Sequence, residues 1–241
     1  MLIGIGNSKG GAGKSSTALM LTGAIIDRSR DTPITLIDTD IQASVANFYQ
    51  KRVDAGFDNY NVECFFCPPG TDLQDVLNIA READDNGHFV IIDAAGYPDP
   101  YFASILSLTD ILIIPAALNT EEIQVGMNYL QWLETSLVNR ESRLLNALFL
   151  NRVDPIKSVS DKEIRMLLET LNVDQFLTEI PNLPRVKDIR GLGQYPFELI
   201  GNGNSVKSSQ KLAELSLKFL DELLFFYENG KTMKNNGREL V

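Results

Sequence analysis

The chain has 241 residues, of which 44% are apolar and 22% charged, and its net charge is −10. This suits one large α/β domain with a sizeable core, and no apolar run is long enough to span a bilayer. The acidic balance argues against tight, sequence-independent DNA binding, which depends on phosphate neutralisation, although a local basic face is compatible with it.

Taken in chain order, short β-type runs alternate with helical stretches. Leu2–Gly6 reads as a strand, Lys14–Arg30 as a helix with Ala18, Leu21, Ala24 and Ile25 on one face, and Pro33–Ile37 as a strand. Ile41–Ala55 reads as a helix, Val62–Cys67 as a strand and Asp72–Asp85 as a helix. Phe89–Ile92 and Ile111–Ile114 are unbroken apolar runs, as expected of strands buried on both faces. Glu121–Val138 is a long helix, followed by strand Leu144–Leu150, helix Ser160–Leu171, strand Phe176–Ile180 and terminal helix Ser205–Tyr227. Such alternation predicts a parallel sheet covered on both faces. No linker or repeat interrupts it, so residues 1–228 read as one domain and 229–241 as a polar, flexible tail. The apolar start lacks a basic leader and a cleavage site, so the protein is expected to be cytoplasmic.

Two cysteines, Cys64 and Cys67, form one C-x-x-C. With a single histidine, His88, they are too few for a closed zinc site. A redox pair would usually begin a helix. Here the pair sits on a strand that ends at Pro68-Pro69, so both read as core residues.

The chemistry is concentrated in Lys9-Gly10-Gly11-Ala12-Gly13-Lys14-Ser15-Ser16, between the first strand and the first helix. Gly13-Lys14-Ser15 is the end of a phosphate-binding loop, although the expected first glycine is Ser8. Glycines let the backbone approach phosphate oxygens, and the loop N–H groups and helix N-terminus supply positive potential. On this reading ATP is the ligand. Lys14 bridges its β- and γ-phosphates, the Ser15 hydroxyl ligates Mg²⁺, and Ser16 donates to the α-phosphate.

Carboxylates follow at strand ends. Asp38 and Asp40 close the second strand, where ligands bind in open α/β sheets. Asp93 ends Phe89-Val90-Ile91-Ile92-Asp93, the apolar-strand-plus-aspartate pattern of a Mg²⁺ site. Ala94-Ala95-Gly96 behind it is small enough to pass close to a γ-phosphate. Helix capping is the plainer role open to Asp38, Asp40 and Asp93.

The second lysine, Lys9, is more diagnostic, because holding phosphates within one chain does not require it. The arrangement x-K-G-G-x-G-K-S/T resembles the deviant Walker A motif of the ParA/MinD family of ATPases. The resemblance covers about Leu2 to Tyr227 and implies a P-loop NTPase fold, a twisted, mostly parallel sheet of seven or eight strands with helices on both faces. It implies that Lys9 reaches across an ATP-sandwiched homodimer to the partner's nucleotide. The run Asp38-Thr39-Asp40-Ile41-Gln42 resembles the family's D-x-D-P-Q box, with Ile41 in place of proline. By that resemblance Asp40 positions the attacking water and Asp38 holds the Mg²⁺ shell. Asn151-Arg152 and Pro181-Asn182 fall where the family contacts adenine, though Asn151 could equally be a turn residue.

The nearest match is to small plasmid partition ATPases of ParA type. The resemblance implies slow ATP hydrolysis stimulated by a ParB-like or other adaptor protein, ATP-dependent dimerisation, and non-specific DNA binding that places the ATP state on the nucleoid. Arg185, Lys187 and Arg190, with Lys207, Lys211 and Lys218 on one face of the terminal helix, are candidate DNA contacts; a solvated helix face is the plainer reading of the last three. A MinD-like membrane-associated ATPase would need the terminal helix to insert, although its apolar residues are expected in the core. ATPases assisting conjugative or T-DNA transfer have the same size and motifs. A metabolic synthetase or metal-cluster ATPase would need a substrate pocket or cluster cysteines, and the sequence displays neither.

Overall fold

The computed structural model describes residues 1–137, 140, 144–154, 158–170, 173–200 and 206–236. Its centre is β1 (Leu2–Ile5), which pairs in parallel with β4 (Phe89–Asp93) on one side and β5 (Ile111–Ala117) on the other. Beyond β4 lie β2 (Ile34–Asp38) and β3 (Val62–Phe66), and beyond β5 lies β6 (Leu145–Asn151). The order is therefore β3-β2-β4-β1-β5-β6, with every pairing parallel.

Alternation along the strands sends side chains to two cores. Ile3, Ile5, Leu36, Ile91, Ile113 and Phe149 face one side. There they meet α1 (Lys14–Arg28), α2 (Ser44–Asp54), α7 (Pro184–Leu192) and α8 (Val206–Asn229). Leu2, Ile37, Val90, Ile92, Leu112, Ile114 and Leu150 face the other. They are covered by α3 (Leu73–Asp85), α4 (Pro100–Leu106), α5 (Thr120–Ser136) and α6 (Val159–Thr170). Coverage on both faces explains why the inner strands β1, β4 and β5 are near-continuous apolar runs rather than alternating. A short α9 (Met233–Asn236) follows α8, and Thr232 before it is buried and bonded to Asp174.

The sheet departs from the expected seven or eight strands, with six in the ladder among the described residues. The missing strand is the expected Phe176–Ile180. This segment runs beside β6, and Phe176 N–H donates to Leu148 and Ile180 N–H to Leu150. In between, a side chain takes over the ladder: the Glu222 carboxylate, from α8, accepts the Leu177 and Thr178 N–H groups and the Thr178 hydroxyl. A carboxylate satisfying two backbone donors breaks the regular pattern without leaving buried groups unpaired.

Other boundaries shift for local reasons. The expected helix from Ile41 begins only at Ser44, because Ala43 adopts a left-handed conformation (φ 49°). Two helices were not anticipated although their signals are present. Asp99 caps α4, with Pro100 at its first position, and α7 is framed by Pro184 and Gly193. Val138, Leu171 and Ser205, the expected ends of three helices, and residues 237–241 of the tail lie outside the described residues.

Cys64 and Cys67 are free thiols. Burial pushes Cys64 up to about 12 and raises Cys67 as well, which disfavours the reactive thiolate; Cys67 is buried and Cys64 is partly buried against the core. Among the described residues no helix is long and apolar enough to cross a membrane. Leu220, Leu223 and Phe226 of α8 are spent in the core.

Candidate functional site

Strand register assembles the site. Ile5 pairs with Asp93 and Asp93 with Asp38, so β1, β4 and β2 end in one row at the carboxyl edge of the sheet. β1 leads into the glycine loop, and α1 starts at Lys14. Order reverses around β1, with β2 placed to one side and β5 to the other, and this is where open α/β sheets bind ligands.

The loop needs glycine at two places. Gly13 has φ 101°, and a Cβ there would come within 2.5 Å of the Asn151 amide nitrogen. At Gly6 a Cβ would strike the Tyr129 ring at 2.7 Å. The loop is braced from both sides. Asn151 donates to the Ala12 carbonyl (2.8 Å), the Asn7 amide donates to the Pro115 carbonyl (2.8 Å), and the Lys9 N–H donates to the Asn7 side-chain oxygen (2.9 Å).

Above the loop is a cavity of about 530 Å³. Gly10, Gly11, Ala12, Gly13, Lys14, Ser15 and Ser16 line it at the phosphate end, together with Asp40, Gln42, Gly96 and Tyr97. Met20, Asn151, Arg152, Ile180, Pro181, Asn182, Leu183 and Val186 complete the lining, with Asn151 against the loop itself. A glycine loop flanked by the apolar Met20, Ile180, Pro181, Leu183 and Val186 suits a nucleotide's phosphates and base in chemistry.

The carboxylates differ sharply. Asp38 is fully buried, with Oδ2 accepting from Val45 (2.8 Å) and Ala46 (3.0 Å) and Oδ1 from Asp40 N–H (3.1 Å). It caps α2. Asp93 is equally buried, yet among the described residues neither of its oxygens has a hydrogen-bond partner; the Ser15 hydroxyl approaches without completing a bond. Burial first, then the Asp38 charge beside it, push Asp93 up to about 7, against the opposing pull of Ser15 and Lys14. A buried carboxylate left bare, next to a serine hydroxyl in a phosphate loop, fits a divalent cation held by Asp93 and Ser15. Asp40 is partly exposed on the cavity wall, its Oδ1 accepting from the Gln42 N–H (3.0 Å).

Several expected residues have other partners. The Arg152 guanidinium donates to Glu122 and its Nε to Asn151. Lys9 does not point away from its own chain: its ammonium donates to Glu121 at 2.7 Å. Arg185 is a correction. It is buried and ion-paired with Asp188 at 2.9 Å, so it is not an exposed contact. Lys187 and Arg190 line the nucleotide-shaped cavity, and only Lys207, Lys211 and Lys218 form a separate exposed face on α8. Sequence reasoning missed Tyr97 and Met20 on the cavity wall, and Glu122 beneath it. Glu122 carried one signal, as an acidic residue in the first turn of a helix.

Residues 3–197 match the CobQ/CobB/MinD/ParA nucleotide-binding domain family. The chain belongs to this family. Among its relatives is the protein ParA of Rhizobium radiobacter, 26% identical over 212 residues and covering 86% of each chain. Cobyrinic acid a,c-diamide synthase of Mycobacterium smegmatis, solved with a bound ATP analogue and magnesium, has a TM-score of 0.69 at 15% identity. It covers 96% of this chain and 97% of its own. A Cyanothece McdA variant solved with ATP has a TM-score of 0.63 at 18% identity, covering 88% and 95%. The nucleotide-binding domain of this family is thus the α/β fold described above.

Proposed function

We propose that this chain is a Mg²⁺-dependent ATPase of ParA type, in which ATP controls homodimerisation and thereby attachment to DNA. Lys9 carries the reading. Its presence in the same loop as Lys14 is not needed for phosphate binding within one chain, and it supports a partner's nucleotide as its target. The shared fold does not discriminate, because a metabolic synthetase has it too.

Within the site, Lys14 and the loop N–H groups would hold the phosphates, with the helix N-terminus adding positive potential. Ser15 and Asp93 would ligate Mg²⁺, with Asp38 behind them through water. Bound Mg²⁺ supplies charge neutralisation to the β- and γ-phosphates. Asp40, half-exposed on the cavity wall, is suited to orient a water for attack. Met20, Pro181, Leu183 and Val186 offer apolar contact for the base, and Asn182 lies beside them. Asn151 contributes chiefly by holding the loop, since its amide nitrogen is committed to Ala12.

The exposed lysines of α8 support DNA as the working surface, with a ParB-like or other adaptor stimulating hydrolysis. On this reading the protein works in the cytoplasm and, with ATP, on the nucleoid. Burial of Leu220, Leu223 and Phe226 weighs against a MinD-like membrane helix. An ATPase serving conjugative or T-DNA transfer would share every feature of the site.

The test compares ATP with ADP for dimerisation by sedimentation and for DNA binding by fluorescence anisotropy. Lys14→Ala should lose productive nucleotide binding. Asp40→Ala should keep the ATP dimer but stop turnover. Lys9→Ala should bind ATP yet fail to dimerise productively, associating only at higher protein concentration than wild type. Normal dimerisation and hydrolysis by Lys9→Ala would end the trans-lysine reading.

A further inference from the structure

The Lys9 ammonium meets two carboxylates at the start of α5. Glu121 Oε1 is 2.7 Å away and Glu122 Oε1 4.0 Å away. The two acids differ in setting. Glu121 is 78% exposed, whereas Glu122 is buried, with its other oxygen accepting the Ala117 N–H at 2.9 Å and paired with Arg152. Acidic residues in a first helical turn are favourable on their own. That accounts for their presence but not for a loop lysine being turned back onto them.

We propose that Glu121 is a positioning residue that holds Lys9 on its own chain, so that Lys9 is released to a second protomer only in exchange for that protomer's nucleotide phosphates. The inference rests on the ATP-dimer reading above. Lys9 cannot donate to Glu121 and reach a partner at once, so dimerisation must break this pair. A triphosphate carries more negative charge than one exposed carboxylate, so the exchange favours a nucleotide-loaded partner over an empty one. The cost of release stays low because Glu122, the buried acid, keeps Arg152 and the Ala117 N–H after Lys9 leaves. Only the exposed pair is lost, and such pairs are weak and screened by salt.

The effect is therefore graded. Glu121→Gln should tighten dimerisation by about two- to fivefold per released lysine, or about four- to twenty-fivefold for a dimer that releases two. Sedimentation velocity with a non-hydrolysable ATP analogue, on wild type, Glu121→Gln and Lys9→Ala, measures this directly. Glu121→Gln should shift dimerisation to lower protein concentration, Lys9→Ala should shift it to higher, and the gap between wild type and Glu121→Gln should close at about 0.5 M salt. A wild-type dimer that Glu121→Gln leaves unchanged or weakens overturns the holding role while the dimer reading survives. If both proteins stay monomeric, both ideas fall. Labelling of Lys9 by an amine-reactive reagent in the nucleotide-free protein, read by mass spectrometry, provides a measurement independent of association. Glu121→Gln should label about two- to fivefold faster, and equal rates would show that Glu121 does not hold the lysine.

Discussion

Polar groups at two borders of the sheet, the carboxyl ends of its central strands and the open side of β6, are treated in opposite ways. At β4 the Asp93 carboxylate is sealed from solvent with no hydrogen-bond partner among the described residues. Beyond β6, the segment beside the sheet edge has its Leu177 and Thr178 donors met by Glu222, a carboxylate brought from α8. The two N–H groups of that segment are met by a carboxylate from within the fold, and the Asp93 carboxylate is not met. An unmet buried charge costs stability, and its place in the molecule marks where a ligand is expected to supply what the protein withholds.

Exchanging the bare carboxylate should break this contrast most visibly. Asp93→Asn keeps the shape and removes the charge. ATP turnover is expected to fall by roughly a hundred- to a thousandfold, as for loss of a group that stabilises transferring phosphate charge. The nucleotide-free protein should become more stable, by about 1–3 kcal/mol, because a desolvated anion is gone. Steady-state ATPase assays and denaturant unfolding check the two halves. Loss of both activity and stability would mean that Asp93 serves the fold rather than a ligand.

The opposite substitution tests the satisfied edge. Glu222→Ala leaves two backbone N–H groups and the Thr178 hydroxyl without their acceptor and should cost about 2–4 kcal/mol, read as a lowered denaturant midpoint. Nucleotide affinity at the phosphate loop should hold wherever the variant remains folded. A variant as stable as the parent would show that water replaces the carboxylate and that the edge is not closed by it.

The same contrast explains what could be read from the residues alone. The phosphate loop, Lys14 and the β4 aspartate are legible because each is a local pattern: a glycine run between strand and helix, or an aspartate ending an apolar strand. Asp38 was legible as a strand-end acid, but its commitment to α2 depends on how the chain turns at Ala43. Contacts between distant residues left no local mark. Glu222 meets Thr178 across 44 residues. Arg52, fully buried, is paired with Glu198 146 residues away and ringed by Phe48, Tyr60 and Tyr195. An arginine in a polar-looking helix gives no hint of such a partner. Arg185 failed as a surface residue for a different reason: Asp188 is only three residues away, but the burial of the side chain depends on tertiary packing that leaves no mark in the sequence.

The smallest expected effect separates the two basic clusters that look alike in sequence. Arg190 lines the cavity over the glycine loop and lies 3.5 Å from the Ser44 hydroxyl at the start of α2, whereas Lys218 stands on the exposed face of α8. A cation at the rim of an anion site adds attraction without full desolvation, so its removal should be felt but not decisive. Arg190→Ala is expected to weaken ATP binding by about two- to tenfold in the absence of DNA, measured with a fluorescent ATP analogue. Lys218→Ala should leave that affinity untouched and instead lower the salt slope of DNA binding by about one unit if α8 is the contacting face. Equal ATP affinity in both variants would return Arg190 to the DNA candidates. A weaker ATP site in Lys218→Ala would mean that α8 and the nucleotide cavity are linked through α1, on which α8 packs. Either result would redraw the boundary between the binding site and the scaffold on that face of the sheet.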